Sequence, residues 1–124
     1  ALAAASACII LGTPLVAAGI TFSPALGLVG TITVAVGLLL LGVLVIGWVV
    51  PRLESLAGRI LLTISSAASS SAMVLACAYA YSIVARRLII SIPQMAVTHG
   101  LANAFGFSLC GLLAWALVKR RELS

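Results

Sequence analysis

Charge is scarce in this chain: only 7% of its 124 residues are Asp, Glu, Lys or Arg, against about 25% in a soluble domain. A chain so poor in charge lacks the polar atoms to cover a water-facing surface. Carboxylates are scarcer still. Glu54 and Glu122 are the only two, and both lie in polar flanks, so hydrolysis by paired carboxylates has no apparatus here. There is one histidine, His99. No Gly-rich phosphate loop, HExxH or other multi-ligand metal spacing occurs. The three cysteines, Cys8, Cys77 and Cys110, stand singly in apolar runs without a CxxC pair, and read as small hydrophobes. The expectation is a protein that is not an enzyme and has no metal site built from these residue types. No cofactor is indicated by composition.

What the chain has instead is long apolar runs, with 64% hydrophobic residues overall. No charge falls between Pro24 and Pro51, none between Arg59 and Arg86, and none from Leu88 to Val118 apart from a proton that His99 could carry. Each run exceeds the ~20 residues that cross a bilayer core. With lipid as solvent, every backbone polar group must be satisfied within its own segment, which selects helices. The fold expected is therefore all-α, a polytopic transmembrane helical bundle of about four helices. They fall near residues 1–20, 24–50, 60–84 and 93–118 of one bundle segment. The net charge of +5 comes from Arg52, Arg59, Arg86, Arg87, Lys119, Arg120 and Arg121 against the two glutamates. Every basic residue ends an apolar run, where topology signals and headgroup contacts lie. That placement argues for membrane lipid as a partner and against nucleic acid. Five basic residues on the side of the second connection and C-terminus, against Arg86 and Arg87 opposite, favour a cytoplasmic C-terminus.

The first helix is expected to kink near residues 10–14, because Pro14 removes a backbone donor. The short turn Thr21–Pro24 offers Ser23 as a helix cap and Pro24 as the first helical residue. Trp48 and Trp115 mark interfaces, as do Tyr79 and Tyr81. Pro51 to Arg59 reads as a polar connection among headgroups. In the third helix Ala68, Ala72, Ala76 and Ala80 recur every four positions, with Ser65 and Ser69 on a neighbouring ridge. Small residues at that spacing form a seam for close helix packing. Ser91 and Gln94 have the form of a capping box opening the fourth helix. The chain opens at Ala1, without methionine or a basic leader, directly in an apolar run. The expectation is a fragment of a longer protein whose missing N-terminal helices, or partner subunits, would pack against it.

The fourth helix carries the polar stripe. His99 and Asn103 are four apart and share a face, with Met95 one turn earlier and Gly106 and Cys110 continuing the line. Gly100, Ala104 and Gly106 would let a neighbouring helix or a ligand approach the backbone. Such polar side chains in hydrocarbon normally point into the bundle or a wet cavity. Three readings stand. His99 or Asn103 makes an interhelical hydrogen bond to a serine of the third helix. Alternatively His99, Asn103 and Met95 line a ligand or transport site with Arg86 and Arg87 at its mouth, attracting an anionic group. Or His99 is an axial ligand to haem or another metal, with its partner supplied from elsewhere.

The segment from Pro93 to Phe107 resembles the signature of the YndJ-like family of bacterial membrane proteins, a helix of the form M-x-x-x-H-G-x-x-N-A-x-G-F. Met95, His99, Gly100, Asn103, Ala104, Gly106 and Phe107 match it position by position. The resemblance covers about fifteen residues. It implies a polytopic protein of the bacterial inner membrane, with more helices than are present here. It also implies a transporter-like role, with the substrate unspecified. Three function classes follow: a carrier or binding protein for a lipophilic or anionic compound, a non-catalytic helical subunit of a larger membrane complex, or a cofactor-binding membrane protein.

Overall fold

In a computed structural model the described residues are 1–122, with side chains described as far as Val118. Lys119, Arg120 and Arg121 supply three of the five basic residues in the orientation count, and their side chains lie outside the described ones. Among the described residues the chain is helical without strands. Four helices are long and apolar enough to cross a membrane. α1 spans Leu2–Phe22 and α2 spans Pro24–Leu44. α2 runs on as a π-helical turn, Val45–Val49, and a 3-10 turn, Val50–Arg52. α3 spans Leu56–Val84. The fourth span consists of α4 (Ile92–Leu101), a π-helical segment (Ala102–Leu109) and α5 (Cys110–Glu122).

Each helix packs on its neighbours in sequence: α1 on α2, α2 on α3, and α3 on the fourth span. Among the described residues α1 touches neither α3 nor the fourth span. The helices thus form a curved row whose ends do not meet.

The interior of this row is made of small residues. Among the described residues the buried apolar side chains are all alanines, Ala5, Ala35, Ala72 and Ala114, and no large side chain is fully buried. Large apolar residues point outward instead; Ile20 is 85% exposed and Leu88 88%. A soluble protein arranges this the other way round. In lipid, outward leucine and isoleucine cost nothing, and helices associate where small residues let their backbones come close. α1 and α2 approach along four glycines. A Cβ on Gly12 would stand 2.9 Å from the backbone nitrogen of Val34, and one on Gly37 2.9 Å from the Ala5 carbonyl oxygen. One on Gly30 would meet the backbone of Leu15 and Val16, and one on Gly19 the backbone of Gly27. The turn between them is one residue, Ser23, with extended backbone (φ −163°, ψ 126°). Its hydroxyl makes no cap bond, so the helix start rests on Pro24 alone. α1 continues as a helix through Pro14.

The other helix ends follow local chemistry. Pro51 cannot donate to the Gly47 carbonyl and its ring crowds it. The helix widens and then tightens before it stops. Arg52 lies over the Trp48 ring, 5.0 Å from its centre, and donates to the Trp48 carbonyl. Ser55 accepts from the Gly58 amide at 3.2 Å. α3 therefore begins at Leu56, earlier than the polar residues around Arg59 suggest. Arg59 turns back to donate to the Leu53 and Pro51 carbonyls. Ser91 and Gln94 form both halves of the capping box.

Gly19→Ala is expected to lower stability by about 1–3 kcal/mol, because the new methyl meets backbone that cannot give way. Gly47→Ala, in a helical segment, meets nothing within 4 Å and should hold stability or raise it by up to about 1 kcal/mol. Equilibrium unfolding of both variants in mixed micelles checks the pair; equal losses would refute the seam.

Candidate functional site

α1 and α2 stay in contact up to the Ser23 turn, whereas the four spans together enclose space in only one half of their length. In the tight half, Gly37 lies against Ala5, Gly42 against Ser66 and Ser70, Gly111 against Ser65, and Gly58 against Val118. The half that holds the Ser23 turn and the Arg86–Arg87 turn opens into a cleft of about 810 Å³. Its walls come from all four spans: Thr13 to Ile20 of α1, Pro24 to Val34 of α2, Met73 to Ile83 of α3, and Met95 and His99 of α4. Drug-sized ligands occupy pockets of roughly 300–1,000 Å³, and this one is apolar with few polar groups.

His99 is the most polar of those groups. Its Nδ1 lies 3.0 Å from the Ala72 carbonyl oxygen, across the interface with α3. A carbonyl only accepts, so Nδ1 carries the proton and donates. In the neutral ring Nε2 is then a lone pair, on a side chain that lines the cleft. The partner is backbone rather than a serine. The serine that does cross to the fourth span is Ser65, whose hydroxyl donates to the Phe107 carbonyl at 2.8 Å. Ser70 and Ser71 donate to carbonyls of their own helix, at Ser66 and Ala67.

Asn103 does not line the cleft, and no hydrogen bond to it is formed among the described residues. Its four-residue spacing from His99 holds for an α-helix, but the hydrogen bonding changes to π at Ala102. That change falls between the two residues. The α3 ridge also divides. Ser65, Ser69 and Ala72 are buried and Ala68 meets Gly106, whereas Ala76 and Ala80 line the cleft. Gly106 serves close packing, since a Cβ there would collide with that of Ala68. Gly100 faces open space, with nothing within 4 Å, and gives no close approach within this chain.

Arg86 and Arg87 stand beside the cleft rather than in it. They line a second hollow of about 340 Å³ with Ser82, Leu88, Ile90 and Ile92; Tyr79 and Ile83 belong to both. The turn that presents them is a Schellman motif. The Arg86 amide donates to the Ile83 carbonyl at 3.2 Å and the Arg87 amide to Ser82 at 3.1 Å. Arg86 therefore takes the left-handed position (φ 52°) that glycine usually fills. Both glutamates lie at the opposite end of the helices, near the start of α3 and the end of α5.

The α1 and α2 walls and Met73 carry no polar residues at helical spacing that would mark them in the sequence. The glycines of α1 and α2 were the available signal, since they bring two helices together and fix what flanks them. One family model, that of the YndJ-like protein, matches residues 1–107. No curated protein and no solved structure matches the chain.

Arg86→Gly should raise stability by up to about 1 kcal/mol. Relief of the left-handed strain, about 1–2 kcal/mol, is partly offset by glycine's greater freedom when unfolded, about 0.5–1 kcal/mol. Unfolding in mixed micelles measures it; a loss would mean the arginine side chain holds the turn.

Proposed function

The chain belongs to the YndJ-like family, and from that footing we propose a membrane-embedded carrier or binding protein for a lipophilic compound with an anionic group. One observation carries this reading: an apolar cleft of about 810 Å³ shares a wall with the hollow of Arg86 and Arg87. An acyl or aromatic body would lie among the apolar residues, leaving lipid without exposing itself to water. Its anionic end would meet the two guanidinia, which suit carboxylate and phosphate oxygens. His99 adds a polar contact within the cleft. The chain acts without covalent chemistry; binding and release are its work.

In this reading the protein sits in the bacterial inner membrane with its C-terminus cytoplasmic, by the balance of basic residues. The cleft then opens in the outer leaflet. A second reading, a non-catalytic subunit of a larger complex, is favoured by one feature. α1 and the fourth span do not touch, so a helix of a partner could enter between them.

The test is binding of a single-chain anionic amphiphile, such as dodecyl phosphate, to the chain in nanodiscs, beside dodecanol as the neutral control. The anionic compound should bind saturably and more tightly. Arg86→Gln with Arg87→Gln should weaken it about fivefold, near 1 kcal/mol, because exposed guanidinia are screened. Ala76→Leu, which fills the cleft, should weaken both compounds. Equal binding by wild type and the arginine double variant would sink the carrier reading. A helix already seated in the cleft would show as resistance to Ala76→Leu and to both ligands.

A further inference from the structure

The sequence holds two methionines and one histidine, Met73, Met95 and His99, and all three line the same cleft. Met95 and His99 lie one turn apart on α4, which puts them on one face. Met73 follows Ala72 on α3, and Ala72 is the residue whose carbonyl holds His99. Two thioethers and one imidazole therefore line one cleft from facing helices, each residue half-buried.

We propose that these three side chains form a site for a soft monovalent metal ion, Cu(I), through the two Sδ atoms and His99 Nε2. Three features favour it. Thioether and imidazole ligands select Cu(I), whereas Ca(II) and Mg(II) need oxygen ligands. The ligands are neutral, and a single positive charge is cheaper to hold in a low-dielectric cleft than a double one, because solvation cost grows with the square of charge. Finally, metal-bound histidine almost always donates its other ring nitrogen to a carbonyl, carboxylate or water, which fixes its tautomer. His99 already does so through Nδ1, leaving Nε2 as the lone pair that a metal requires. The site is independent of whether the cleft also holds an amphiphile.

The experiment is anaerobic Cu(I) titration of the detergent-solubilised chain against a chromophoric Cu(I) chelator, repeated with Ag(I) as a redox-inert ion. Free thiols also bind Cu(I), and Cys8, Cys77 and Cys110 are free and half-buried. The titration is therefore run on the wild type and on a variant with all three cysteines changed to alanine. The expected result is one equivalent bound in both. Met73→Leu and Met95→Leu keep volume and fold, and each should weaken binding at least as much as loss of an outer-shell partner, roughly 10–100-fold. His99→Gln should abolish it, and X-ray absorption should find sulfur and nitrogen neighbours in the cysteine-free chain. The proposal is overturned if binding disappears with the cysteines, or if the two leucine variants bind as the wild type does.

Discussion

The structure depends on the contact of helix backbones through residues with almost no side chain. In water, burial of leucine and isoleucine drives helices together. In lipid that drive vanishes, because acyl chains are as apolar as leucine, and what remains is van der Waals packing and interhelical hydrogen bonding. The chain obeys this closely. Among the described residues the buried apolar ones are alanines, and Gly12, Gly19, Gly30 and Gly37 line the α1–α2 contact. α3 presents Ser65, Ala68 and Ala72 to the fourth span, and Ser66 and Ser70 to α2. A single helix thus supplies two seams of small residues, and the row of four spans is built around it.

The cleft follows from where those seams stop. The interface of α3 and the fourth span is closed by Ala72, Ala68 and Ser65, and all three lie before Met73. Beyond that point Ala76, Ala80, Tyr79 and Ile83 become a wall of the cleft, opposite Met95 and His99. α1 and α2 remain close up to the Ser23 turn, but α1 does not reach the fourth span, so the opening stays. Small residues bring helices together only where a partner offers small residues in return. Ala76 and Ala80 line the cleft instead. The two arginines beyond them sit on a turn whose geometry favours glycine, which is a local cost borne at one place in the molecule where charge meets the cleft.

Much of the architecture was legible in the sequence. Uncharged runs longer than a bilayer core, Pro24, and the Ser91–Gln94 capping box locate helices through rules that hold in lipid as in water. The α3 seam was legible for the same reason, since four-residue spacing is a property of one helix. What escaped was whatever required two helices at once. Ala68 and Ala72 cannot be told from Ala76 and Ala80 by spacing, because the difference is made by Gly106 and His99 across the interface. Met73 has no polar pattern to announce it. Asn103 has the four-residue spacing from His99 yet does not line the cleft, and spacing alone does not decide which polar residue of a helix faces a cavity.

The π segment lies largely between the two hydrogen bonds that join α3 to the fourth span. His99 bonds to Ala72 and Phe107 to Ser65. The spans run antiparallel, and the two bonds are separated by seven residues on α3 but by eight on the fourth span. Two ordinary α-helices rising 1.5 Å per residue would leave these partners about one residue out of step. A π-bulge takes up one extra residue in a helix, and here it lies over Ala102–Leu109, largely between the two anchors. The one-residue surplus on the fourth span matches what a π-bulge accommodates, with one bond at the edge of the cleft and the other in the tightly packed half.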